Sequence, residues 1–190
     1  EVGKVGGRNT RSAETEADAE AQEAGKMGKS KGASAFSEML KQFAPETIRF
    51  FLLSTHYRRP IDFSEKRIGE VDAGMETFYR FFQRYERVAG SSYYDIPPAG
   101  RREDGDFEPG DDAVMQAVAE LRDRFLESMD DDFNTGGAIG ALFDLVRRLN
   151  KFVDQAKLEE KKKQTPEAMA ALKQGAATLR ELSAALGLFD

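Results

Sequence analysis

Residues 65–85, EKRIGEVDAGMETFYRFFQRY, place Ile68, Val71, Met75, Phe78, Phe82 and Tyr85 in steps of three and four. That spacing is one apolar stripe along a helix of 3.6 residues per turn, and a stripe of this length has to be buried against other helices. The same period continues on both sides. Upstream, Phe36, Met39, Leu40 and Phe43 share a face of a short helix. In APETIRFFLLST, residues 44–55, Pro45 suits the first helical position and Glu46 the first turn, where the helix dipole favours acid. Its expected buried stripe is Ile48, Phe51, Leu52 and Thr55, and it should stop before Arg59-Pro60.

Downstream of the long helix, residues 89–112 are rich in Gly, Pro and charge and read as a linker. A further helix over about 112–129 turns Val114, Val118, Leu121 and Phe125 inward, and another over about 136–156 turns Ile139, Leu142, Phe143, Val146, Leu149 and Val153 inward. Thr165 caps and Pro166 opens a last helix carrying Met169, Leu172, Leu179, Leu182 and Leu186. No stretch alternates as a strand does. The fold class is therefore all-α: a bundle of about four to five helices, preceded by a flexible loop. The polar, Ala- and Glu-rich residues before position 34 lack hydrophobic periodicity and carry no core.

The 190 residues include no Cys, so the chain has no disulfide framework, thiolate nucleophile or Cys-ligated zinc. The net charge of −6 means that a nucleic-acid partner has to be met by a local basic patch, not by the global field. No apolar run has the length of a membrane span, and the first residues do not resemble a signal peptide. The chain opens on Glu1, which fits a piece of something longer.

Four segments carry possible chemistry. GKMGKSKG, 25–32, crowds Lys26, Lys29 and Lys31 among Gly25, Gly28 and Gly32, with Ser30 adjacent. It reads either as a solvated linker or as a loop that approaches a polyanion closely. In FAPETIRFFLLSTHYRRPIDFS, 43–64, Arg49, His56, Arg58 and Arg59 lie on or just after one helix beside Tyr57. These cations either serve the helix end or meet phosphates, with a ring to stack on a base. His56 has no Asp or Ser placed in sequence to build a triad and is not read as a general base. MDDDFNTGGAIGALFDL, 129–145, offers three consecutive carboxylates, for which helix capping is favoured over metal binding. KLEEKKK, 157–163, and the acidic GRREDGDFEPGDD, 100–112, read as solvated turns, with Lys161, Lys162 and Lys163 as a minor RNA contact.

Taken together, these segments resemble the cysteinyl-tRNA synthetase family of class I aminoacyl-tRNA synthetases. GKMGKSKG is similar to the KMSKS signature loop, residues 43–64 to the helix that follows it, and MDDDFNT to a further stretch. The order and approximate spacing agree over roughly 25–155. The resemblance implies that Lys29 and Lys26 act catalytically, with Gly28 and Ser30 joining them in binding ATP as its magnesium complex while cysteine is activated. It implies a tRNA-facing bundle over 34–190 after the end of a catalytic domain over 1–33, cysteine tRNA as partner, a cytoplasmic monomer and no membrane. It further implies a zinc site in the parent enzyme whose ligands this chain lacks. The chain has no His-x-Gly-His-type signature, and the small anticodon-reading domain of the family is expected to be absent from it, so activity is expected only in a longer parent. The pattern departs at Gly28, at Lys31-Gly32-Ala33 and at Ala44, where the family has Asp; the stretch TRSAETEADAEAQEA is similar to an insertion. Two other readings remain: a related cysteine–sugar ligase of thiol biosynthesis, and a non-catalytic helical interaction module.

Overall fold

Side-chain caps start four of the five long helices where the sequence places a short polar residue. The computed structural model describes residues 37–189, and the chain divides into two compact units after Phe43. In the second unit, α1 (Pro45–Leu53) begins on Ala44, which supplies no cap hydrogen bond. In α2 (Glu65–Ala89), Ser64 Oγ accepts from the Arg67 amide at 3.4 Å. In α3 (Ala113–Asp130), Asp112 accepts from Val114 and Met115 at 2.7 and 3.0 Å. Asn134 caps α4 (Thr135–Gln155) through the Gly137 amide at 3.1 Å, and Thr165 caps α5 (Pro166–Ala185) through the Ala168 amide at 3.2 Å. Each cap satisfies an amide that has no partner within its helix. Ala44→Asp should therefore stabilise the unit by about 1 kcal/mol, read as a rise in urea midpoint at unchanged m-value.

Among the described residues the structure is entirely helix, turn and irregular chain. The 131–134 turn brings α4 back along α3, and α5 lies against both. Gly175 allows the α4–α5 approach: a Cβ there would stand 2.4 Å from Leu149 Cδ2. The core runs through Met75, Phe78, Phe82, Val118, Phe125, Leu142, Leu149, Leu172 and Leu179. The stripes expected for α2 and α4 are thus buried, apart from half-buried Val71 and Phe143.

Three local expectations change. On the helical run 37–42 of the first unit, Met39 is buried but Leu40 is 45% exposed, so the two do not share a buried face. In α1 it is Phe50 that enters the main core, while Phe51 packs edge-on against Phe63 at 5.5 Å. The stretch read as a linker and the 157–163 segment read as a solvated turn are both anchored. Tyr93 lies flat on Phe82 with ring centroids 3.9 Å apart. Leu158 is fully buried, and the Gln164 amide donates to the Leu158 and Val88 carbonyls at 2.8 and 3.2 Å. Charge-rich composition hides these single apolar anchors, because one buried side chain per turn leaves no periodicity.

The C-terminal residues also join the core. Beyond α5, Gly187 turns the chain with φ +63°, which brings Leu188 and Phe189 back into the bundle. A Cβ on Gly187 would stand 2.6 Å from Arg49 Nη1, so Arg49 lies against this tail.

Candidate nucleic-acid interface

The elbow that follows α1 is held against the α3–α4 turn. Ser54 Oγ closes the last turn of α1 by donating to the Phe50 carbonyl at 2.8 Å. The Ser54 carbonyl in turn faces the start of α4, where a Cβ on Gly136 would be only 3.2 Å away. Just beyond, His56, Tyr57 and Arg58 converge on Asp132. The Tyr57 hydroxyl donates to Asp132 Oδ1 at 2.8 Å and accepts from Arg58 Nε at 2.9 Å. Arg58 Nη2 reaches the same carboxylate oxygen at 3.3 Å. His56 Nδ1 accepts from the Arg58 amide at 3.2 Å, which leaves its Nε2 facing Asp132 Oδ2 at 3.8 Å. The His56 and Tyr57 rings are stacked at 4.9 Å. The hydrogen bond to Asp132 favours the protonated phenol and pushes the Tyr57 pKa up.

The arginines of the elbow therefore differ. Arg58 is exposed but tied to Asp132, whereas the Arg59 side chain has no ion-pair partner among the described residues. Exposed ion pairs of this kind contribute about 0–1 kcal/mol, so a phosphate can compete for Arg58 at small cost. Tyr57 and Phe133, 59% and 65% exposed, offer aromatic surface on either side of Asp132. Both Asp132 and Phe133 adopt φ +53°, a conformation uncommon for such residues and held here by the turn hydrogen bonds.

The three carboxylates are spent separately. Asp130 pairs with Arg102 at 2.9 Å, Asp131 ends α3, and Asp132 serves the elbow. Asn134, not an Asp, caps α4. Among the described residues no three His, Cys, Asp or Glu side chains are grouped to hold a metal ion.

Lys161, Lys162 and Lys163 form an exposed 3₁₀ turn beyond the far end of α4. Arg58 and Arg59 stand at its near end. A helix of 21 residues is about 30 Å long, so the five basic residues form two separate patches. Lys26, Gly28, Lys29 and Ser30 lie outside the described residues. Sequence reasoning missed Asp132 as the elbow's anchor. The available signal was that Asn134 alone suffices as a cap, which leaves the preceding carboxylates free for other partners.

The chain matches two family models: "tRNA synthetases class I (C) catalytic domain" over residues 18–73 and "DALR domain" over 124–190. The first includes the whole elbow, and the second contains the Asp132 turn to which the elbow is tied. A cysteine–tRNA ligase of Pelobacter propionicus is 39% identical over 165 residues, covering 86% of this chain and 32% of the relative. This chain is a relative of one segment of the cysteine–tRNA ligases. A second such ligase, from Trichlorobacter lovleyi, is 38% identical over 86% of this chain and 31% of its own length. One from Geobacter sp. is 40% identical over 77% of this chain and 29% of its own length. The chain thus spans about a third of the length of the curated cysteine–tRNA ligases that it matches.

Proposed function

We propose that the chain works as part of a cysteine–tRNA ligase, which joins cysteine to its tRNA through cysteinyl-adenylate at the expense of ATP. The likeness to cysteine–tRNA ligases along 86% of the chain carries this reading. Residues 1–33 supply the end of a catalytic domain and 34–190 a tRNA-facing bundle. Lys26 and Lys29, with Gly28 and Ser30, clamp the ATP triphosphate and its magnesium ion. The physical logic is that cations on a loop stabilise charge that grows on the phosphates during activation. The zinc that grips the cysteine thiol is held by residues other than those of this Cys-free chain. No described helix is long and apolar enough to cross a membrane, and the reading places the protein in the cytoplasm as a monomer.

Arg58 and Arg59 supply the first phosphate contacts, and Lys161 to Lys163 a second, separate set. The test is a titration of the full chain against cysteine tRNA and an unrelated tRNA at two salt concentrations. Each phosphate contact steepens the salt dependence by close to one unit of slope, so Arg58→Ala/Arg59→Ala should flatten it by about 1–2 units. A cognate preference that survives moderate salt supports recognition by the bundle. An unchanged slope in the double variant removes the elbow from the interface.

A further inference from the structure

The elbow, α1, α2 and the start of α4 line an open cleft of about 460 Å³, within the size range of small-ligand sites. Its walls include Phe51, Val71, Ile139 and Phe143. Four charged side chains stand around it. Arg67 and Glu70 neutralise one another at 3.4 Å. Arg59 and Asp62 have no side-chain partner among the described residues.

This combination selects for a particular chemistry. A purely apolar guest leaves a free guanidinium and a free carboxylate at the rim. A bare anion gains nothing from the aromatic walls and is opposed by Asp62. A guest with a flat apolar body, an anionic group and N–H or O–H donors uses all three features. We propose that the cavity takes one nucleotide unit: the base against Phe51 and Phe143, the phosphate on the Arg59 fork, and Asp62 accepting from a base amine or ribose hydroxyl. The unit comes from RNA or from a free nucleotide. Arg59 lines the cavity and sits on the same elbow as exposed Tyr57 and Arg58, so a strand laid across the elbow passes beside the cavity mouth. The free-nucleotide source stands without the tRNA reading; the RNA source rests on it.

Gly74 provides the decisive variant. It lines the cavity, and a Cβ there meets only Phe143 Cζ, at an ordinary 3.5 Å. Gly74→Leu therefore adds bulk at the cavity wall, and replacing a mid-helix glycine favours α2. The probes are AMP, a hexa-adenylate RNA and inorganic phosphate, titrated against the full chain and followed by calorimetry or ligand-observed NMR. Gly74→Leu and Arg59→Ala should each weaken nucleotide binding about tenfold, the effect of losing a charge-assisted hydrogen bond or its equivalent in contact. Competition between AMP and the RNA supports a site open to both sources. Cavity-dependent binding of the RNA alone assigns the RNA source, and of AMP alone the free nucleotide. Binding unaffected by both variants, phosphate binding as well as AMP, or no binding of AMP or RNA overturns the proposal. So does an aromatic peptide that enters the cavity in place of either. If Gly74→Leu lowers the melting temperature, the exposed Arg59→Ala variant carries the test alone. Failure of the unsubstituted chain to bind AMP or hexa-adenylate, with cysteine tRNA binding and its salt slope intact, would sink the cavity and leave the tRNA reading standing.

Discussion

Phe189→Ala is expected to destabilise the second unit by about 3–5 kcal/mol, the usual cost of removing a fully buried aromatic ring. The melting temperature should fall by about 10 °C, given about 2–4 °C per kcal/mol for a domain of this size. The ring is 1% exposed. It stacks on Phe78 at 4.9 Å and meets Phe82, Tyr79 and Phe50 at 5.2, 5.7 and 6.4 Å. Its backbone is tied as well: the Phe189 amide donates to the Glu46 carboxylate, and its carbonyl accepts from Arg180. Phe189 also holds φ +59°. Alanine keeps the Cβ and hence that backbone cost, so the substitution isolates the ring. Because Glu46 also accepts from the Tyr79 hydroxyl at 2.7 Å, loosening the tail reaches α1 directly. Hydrogen exchange at α1 amides should therefore accelerate more than exchange in α4. A melting temperature within 2–3 °C of the parent's would mean that the tail is not part of the cooperative unit.

The contrast between Phe189 and the α2 stripe shows what the sequence could reveal. Ile68, Met75, Phe78, Phe82 and Tyr85 repeat with the helical period, and each is buried. Thr165-Pro166 and Asn134 mark helix starts through local chemistry, as does the missing cap at Ala44. Phe189 falls one step beyond Leu182 and Leu186, but α5 ends at Ala185 and Gly187 turns the chain, so it reaches the core through a turn that the helical period does not describe. In IRFFLLS the apolar residues continue around the helix, and periodicity alone could not choose Phe50 over Leu52 as the residue that enters the main core. The site divides the same way. The basic elbow is a contiguous stretch and was legible. Its tie to Asp132 joins residues 74 and 75 apart, and no local pattern encodes a pairing of that separation. The nucleotide-sized cavity draws on three helices and was invisible for the same reason.

Glu181→Ala is the second large effect, about 3 kcal/mol, with Arg122 as its cause. Arg122 and Glu181 are 59 residues apart, and their side chains are 7% and 10% exposed. Arg122 Nε and Nη2 both bond the Glu181 carboxylate, at 3.0 and 2.8 Å. The pairing outweighs burial and holds the Arg122 pKa above its ordinary value, so the guanidinium stays charged at every pH at which the protein folds. Removing Glu181 leaves that charge buried with only exposed Asp106 and the Arg102 carbonyl as partners. Breaking a buried pair on one side costs about 3–5 kcal/mol, and the surviving contacts place this case at the low end. The same substitution frees the connection between α2 and α3. Gly105 lies so close that a Cβ would stand 2.1 Å from Glu181 Oε2, and Arg122 holds both Arg102 and Asp106. Proteolysis within 100–108 should therefore quicken along with the fall in stability. The control is Arg122→Met/Glu181→Leu, which removes both charges and keeps the volume. Replacing a buried pair by apolar side chains is commonly neutral or stabilising, so this variant should recover most of the lost stability while the connection stays loose. If the double variant is as unstable as Glu181→Ala, the loss comes from packing and not from a stranded charge.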